Sequence, residues 1–309
     1  MPRILDEQHV TPALAAMLGC ADVDGGPTAE QRALIAALAA GYFRVVVDLD
    51  GLIPLEPAAA DAAFVTDDER RRVRQLLVLI ELCRHPLSAA QVARTEVYAD
   101  ALGGDPATMA IARDMVSEGL AAAEADYFRS LEAVEPGLRE PTLAGAPGSA
   151  PIERDAELAE RLQAMQDGPD GSLGREYLAF YERYGFALPG TDDQPAALFV
   201  AHDMSHVIAG YEPTGVGEIA LGAMQLAMHD NDEHWVQLLG NLGVHEAGFL
   251  AGRAAPSALA QPGAVEIVAH AFDRGARCPT DFTVVDHLAR AAEPLDDVRR
   301  EFGVPPRER

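Results

Sequence analysis

An all-α fold of two helical domains is what this chain predicts, and three observations carry it. Apolar residues recur at helical spacing through most of the 309 residues, several of these runs open on capping or acidic first-turn signals, and no segment makes a convincing strand. A stretch rich in Pro, Gly and Ala with no apolar period, Glu135 to Ile152, interrupts the pattern. The boundary is therefore expected there: a helical domain over 1–134, a linker over 135–152 and a second helical domain over 153–309.

In the first domain Pro12 to Gly19 reads as a short helix, and the acidic glycine turn Asp22 to Thr28 leads to the next. Thr28 with Gln31 three residues on forms a capping box, and Leu34, Ile35, Leu38 and Tyr42 share one side of the helix that follows. Asp67 to Cys83 repeats the device, with acidic residues in its first turn and Val73, Leu76, Leu77 and Ile80 on one stripe. Ser88 to Leu102 and Asp105 to Leu131 complete the set. From Asp22 to Leu131 this half loosely resembles a TerB-type (tellurite-resistance) helical domain, which bears on fold class alone.

Val45 to Gly51, VVVDLDG, imitates the first motif of haloacid-dehalogenase phosphotransferases, where a buried strand delivers a nucleophilic Asp. Helix-period patterns follow it rather than alternating strands and helices, and Leu52 stands where a hydroxyl residue is required. A helix end or short extended piece before the Pro54/Pro57 loop fits better. After the linker, helices are expected at Arg154 to Gln166, Gly174 to Tyr184, Ala197 to Ala209, Gly217 to His229, His234 to Ala251, Ala264 to Ala276 and Phe282 to Ala292.

The chemistry is concentrated between Ala201 and Ile219. On a helix, His202 and His206 stand one turn apart, close enough for two imidazoles to share an ion, with Leu198, Phe199, Ser205 and Ala209 on or beside the same stripe. Asp203 flanks the pair and could bind an ion directly or through a water. Gly210, Pro213, Gly215 and Gly217 then read as a turn into a second helix starting near Glu218, so the chain can fold back and bring Glu218 to the histidines. That is a set of two nitrogens and one or two oxygens, the open pattern of a catalytic metal site. Spacing alone leaves hydrogen-bonded core histidines as the alternative.

The full string, His202-Asp203-x-x-His206, Gly210, Gly217-Glu218, resembles the metal motif of the coenzyme Q (ubiquinone) biosynthesis protein 4 family. Gly171 to Phe180 and Pro294 to Val304 are similar to that family's flanking segments, so the resemblance covers roughly 156–305. Phe282 to Ala292 departs from the family's aromatic, acidic pattern, which bears on substrate identity. The resemblance implies a divalent ion, zinc foremost, held by His202, His206 and Glu218, with Asp203 as fourth ligand or as the residue that orients a histidine or takes a proton. It implies oxidative removal of the C1 carboxylate from a polyprenylated 4-hydroxybenzoate intermediate, with hydroxylation at that carbon, a lyase activity, with these four residues as the catalytic set. The implied partner is a prenylated quinone precursor or similar apolar ligand. Membership of a quinone-biosynthesis complex and homo-oligomerisation are left open.

Other readings compete. A non-enzymatic prenyl-lipid carrier or scaffold would use the same apolar helices. A His-Asp phosphohydrolase needs a further metal-binding His on an earlier helix, and none occurs between His85 and His202. A metalloprotease needs Glu after the first His, where Asp203 is one methylene short. His229-Asp-Asn-Asp-Glu-His234 could hold a second ion, though solvated capping at a helix start explains it as well. His245, Glu246, His270 and His287 are assigned core or surface roles.

Composition sets the outer bounds. A formal net charge of −25 opposes binding to nucleic acid or to an anionic membrane without help. Every basic side chain is Arg, as a GC-rich bacterial genome encourages. Three isolated cysteines, Cys20, Cys83 and Cys278, form no disulfide framework, and no apolar run approaches the ~20 residues of a membrane span. A cytoplasmic protein, with a peripheral place at the membrane if its ligand is prenylated, is the expectation.

Overall fold

The computed structural model of the protein describes residues 5–84, 87–104, 113, 114, 116–118, 120–143, 155–191, 196–248 and 257–307. It is all-α: among the described residues the sole strand-like pairing is an isolated bridge between Ser172 and Pro294.

Two compact units make up the chain, one of 1–130 with 236–273, the other of 131–235 with 274–309. The expected linker at 135–152 lies within the second unit, and its residues 144–152 fall outside the described ones. The two units are therefore not contiguous halves: a segment from the middle of the second half packs with the first.

The first unit contains α1 (Glu7–Ala21), α2 (Ala29–Ala37), α3 (Pro57–Ala63), α4 (Asp67–Leu82) and α5 (Ala89–Ala101). The capping box at α2 is present in both directions, the Gln31 N–H donating to the Thr28 hydroxyl and the Thr28 N–H to the Gln31 side chain. α4 carries the same device on Thr66 and Glu69. Leu34, Ile35, Leu76, Leu77 and Ile80 are fully buried on the stripes the sequence marks.

α1 begins five residues before Pro12, which sits inside the helix. Proline there removes a backbone donor, but Val10, Leu14, Met17 and Leu18 are all buried, and that burial carries the helix through. α2 runs on into a π-turn, Leu38–Tyr42. There Gly41 lies so close to the chain at Ala269 that an added Cβ would stand 2.1 Å from the Ala269 carbonyl oxygen. Val45 to Gly51 forms no strand, and Asp48 and Asp50 are exposed in a turn in which the Asp50 N–H donates to the Asp48 carboxylate.

Further along are α6 (Leu120–Val134), α7 (Ala156–Gln163), α8 (Leu173–Tyr184), α9 (Ala196–Ala209), α10 (Gly215–Met228), α11 (Asp232–Leu242), α12 (Ala264–Arg277) and α13 (Leu295–Phe302). Of the expected helix from Asp105 to Leu131, residues 105–112, 115 and 119 lie outside the described ones. Of the expected helix His234 to Ala251, residues 249–251 lie outside the described ones; α11 passes into a π-turn at Gly243–Ala247 that ends on Gly248 in the left-handed region, φ 73°, a conformation that favours glycine.

Phe282 to Ala292 is a series of turns, not the expected helix. Side chains take over the backbone donors a helix would need: locally Asp281 accepts from the Thr283 N–H and Asp286 from the Ala289 N–H, and the sequence-distant Glu140 accepts from the Leu288 N–H. The two flanking segments named above, 171–180 and 294–304, meet each other. The Leu173 N–H donates to the Glu293 carbonyl and the Leu295 N–H to the Gly171 carbonyl, each at 2.9 Å.

Candidate functional site

The site stands on the reversal between α9 and α10. Gly210, at φ 78°, ends α9 in a conformation an L side chain rarely adopts. Thr214 caps α10 by accepting from the Gly217 N–H. Gly217 is required for a different reason, because a Cβ there would lie 1.9 Å from the Glu212 carbonyl oxygen. The chain thus turns tightly enough to set Glu218, in the first turn of α10, opposite the histidines of α9.

His202, His206 and Glu218 converge as the spacing predicts. The Nε2 atoms of His202 and His206 are 3.2 Å apart, and the Glu218 carboxylate lies 3.2 Å from His206 Nε2 and 3.3 Å from His202 Nε2. The orientation of His206 is held from behind. Its Nδ1 is 3.0 Å from the Tyr211 backbone carbonyl and must donate to it, which leaves the Nε2 of the neutral ring as a bare lone pair facing the centre. Phe180 stacks on the same ring with centroids 5.7 Å apart.

Electron-rich atoms at these separations repel unless a cation lies among them, and a proton or a metal serves that need. The residues pass the test for a metal. Zinc–nitrogen bonds of about 2.0–2.1 Å in tetrahedral array keep ligand atoms roughly 3.3 Å apart, matching all three separations found. With a proton instead, burial pulls the His202 imidazole down, but the Glu218 charge and hydrogen bond outweigh it and bring the pKa up to about 9. Burial likewise opposes ionisation of Glu218, and the charges of His202 and His206 win, holding it well below the usual carboxylate range.

Asp203 is buried beside the pair, close enough to His202 and His206 to complete a three-residue metal-ligand group. The Tyr181 hydroxyl donates to its Oδ2. Burial raises the Asp203 pKa against the lowering influence of His202, the Tyr181 hydrogen bond and His206. A cavity of about 420 Å³ opens on the site, walled by Tyr181, Phe186, Phe199 and Pro213 and reaching His202, Asp203 and Glu218.

Sequence reasoning missed the second layer of this site. Tyr181 and Phe180 lie on the helix before α9, where their aromatic stripe reads as ordinary core, and the Tyr211 carbonyl has no sequence signal at all. It also missed Glu140, which lies in the expected linker yet is fully buried, accepting from His287 Nδ1 at 2.7 Å. Of the other candidates, His229 Nδ1 is 3.1 Å from the Asp281 carboxylate and His234 Nε2 3.2 Å from the Thr283 hydroxyl. Glu246 is buried and accepts from the Leu259 N–H and the Ser257 hydroxyl. Asp6, His9 and Glu69 also lie together, with Glu69 engaged in the α4 capping box.

No protein-family model and no curated protein matches this chain. A crystal structure from Nostoc punctiforme PCC 73102, of a protein assigned provisionally to ubiquinone biosynthesis, aligns at 18% identity over 76% of this chain and 99% of that one, with a TM-score of 0.36. A superposition this loose leaves the chemistry to be argued from the chain's own residues.

Proposed function

We propose that the chain holds one divalent metal ion through His202, His206 and Glu218, zinc being the ion that best suits the donor set. The chain then acts on a prenylated aromatic acid of quinone biosynthesis, releasing the C1 carboxylate. The observation that supports metal binding is the convergence of two imidazole nitrogens and a carboxylate at 3.2–3.3 Å beside an open cavity. The substrate class comes from the resemblance of the motif.

When bound, the ion supplies Lewis-acid stabilisation of carboxylate or phenolate oxygens. The chain's own residues do the rest. His206 is held in one tautomer by the Tyr211 carbonyl, and Asp203, fixed by the Tyr181 hydroxyl, completes the ligand set or takes a proton at the cavity wall. Phe186, Phe199 and Pro213 give an apolar surface against which an aromatic ring or the start of a prenyl tail can lie. The bond from C1 to the carboxylate breaks and carbon dioxide leaves, water supplies the oxygen of the new C1 hydroxyl, and an external two-electron oxidant such as dioxygen takes up the electron pair and departs as hydrogen peroxide.

Metal analysis of the purified protein tests the first part: about one divalent ion per chain is expected, and the doubly substituted His202→Ala, His206→Ala chain should lose it. A full complement retained by the double variant removes the site. The second part is tested in cells, where loss of the gene should cause prenylated aromatic acids to accumulate. An unchanged quinone profile would favour the carrier reading.

A further inference from the structure

Beyond the metal centre, we propose that the second unit carries an anion-binding site for a phosphate-bearing small molecule, built by Arg274, Arg299, Arg300 and Arg307. A cavity of about 610 Å³ lies at the C-terminal end of α9, and these four arginines line it together with Gly210 and Asp296. In a chain with 24 basic residues against 49 acidic ones, so dense a group of guanidiniums is out of character.

Arg274 is the residue that carries the inference. It is 2% exposed, yet no carboxylate pairs with it among the described residues. Its Nε and Nη2 donate to one neutral acceptor, the Pro305 carbonyl, at 3.0 and 2.7 Å, its guanidinium lies 5.1 Å from the Tyr211 ring centroid, and its Nη1 is a buried donor with no acceptor. A buried cation without a counter-charge is costly, and an anion in the cavity would provide one.

The neighbouring arginines are partly committed. Arg299 donates to the Val207 and Ile208 carbonyls at the end of α9, and Arg307 to the Gly210 carbonyl and the Glu212 carboxylate. Arg300 pairs with Asp297 at 2.6 Å. Four guanidiniums thus meet three carboxylates, Asp296, Asp297 and Glu212, but those carboxylates are 86%, 55% and 49% exposed, so solvent screens them where Arg274 is not screened. Guanidinium forks suit the several oxygens of a phosphate group, and the volume leaves room for an organic substituent. The net charge of the chain argues for a soluble phosphate ester or diphosphate over a membrane headgroup.

The test is titration calorimetry at constant ionic strength with inorganic phosphate and pyrophosphate, and flotation with phosphatidylglycerol vesicles. Saturable binding of pyrophosphate is expected, weakened about tenfold or more by Arg307→Ala with Arg300→Ala, the weight of a charge-assisted hydrogen bond. The exposed Arg300→Ala alone guards against misfolding and should weaken binding without changing the melting temperature. Arg175→Ala, at an exposed arginine elsewhere, should have no effect. Binding must also survive in His202→Ala, since pyrophosphate held by a metal would be lost there. Absence of binding to either anion, binding indifferent to the arginine substitutions, or binding to vesicles alone overturns the proposal.

Discussion

At the residue scale, the behaviour of the site depends on side chains that never meet the proposed ion. Tyr181→Phe removes the hydroxyl that donates to Asp203 and leaves a buried carboxylate short of a hydrogen bond. A loss of about 1–3 kcal/mol in urea denaturation is expected, with metal content unchanged because His202, His206 and Glu218 are untouched. A metal content that falls with the tyrosine would make Tyr181 part of ligand geometry instead. Glu69 offers a prediction on pH. Burial works against its charge, but the Thr66 backbone and hydroxyl contacts, then the His9 charge, lower its pKa below the ordinary 4.5. A carboxylate depressed in the folded state stabilises above its unfolded pKa and loses that contribution as pH falls through the folded value. Glu69→Gln should therefore cost about 1 kcal/mol at neutral pH, and the gap from wild type should close as denaturation is followed into the acid range. An equal gap at every pH would assign the loss to packing.

The convergence of His202, His206 and Glu218 was legible in the sequence because helix periodicity fixes which residues share a face, and the glycines between Gly210 and Gly217 announce a reversal. Tyr211 was not, since what it contributes is a carbonyl, and every residue has one. Glu140 was hidden by composition: Pro and Gly neighbours signal a loop, and nothing in a loop reveals which side chain the fold will bury.

At the scale of elements, local signals held where capping and amphipathicity agree and failed where side chains compete for the backbone. The Thr28 box and the α4 stripe belong to the first kind. The segment from Phe282 to Ala292 belongs to the second, because Asp281, Asp286 and Glu140 engage its amides from outside any helical pattern. The glycines at helix contacts supply an expectation of their own. A Cβ at Gly41 would meet the backbone oxygen of Ala269, which cannot swing away as a flexible side chain can. Gly41→Ala should cost about 1–3 kcal/mol, read as a lower melting temperature. Gly217→Ala should do more than destabilise: by pushing the start of α10 from Glu212 it displaces Glu218, so metal content should drop along with stability. A fully loaded Gly217→Ala protein would show that the turn tolerates movement the ligands do not feel.

On the scale of the whole molecule, no described helix is long and apolar enough to cross a membrane. Against the formal charge of −25, the arginine cavity is a local exception. The division of the chain has a practical outcome. Linker composition alone predicts a self-sufficient remainder after deletion of residues 1–131, but 236–273 belongs to the first unit and would lose its packing partners. The shortened chain is expected to aggregate or to be cut by protease within 236–273 while intact protein resists. A monomeric, protease-resistant remainder would show that this segment stands without them.

The interleaving also bears on how such a protein can change over generations. Because the chain enters the first unit a second time before finishing the other, a single crossover in the gene cannot transfer either unit whole. Recombination that spreads contiguous modules among unrelated proteins would sever this one, so its two units are expected to be inherited together.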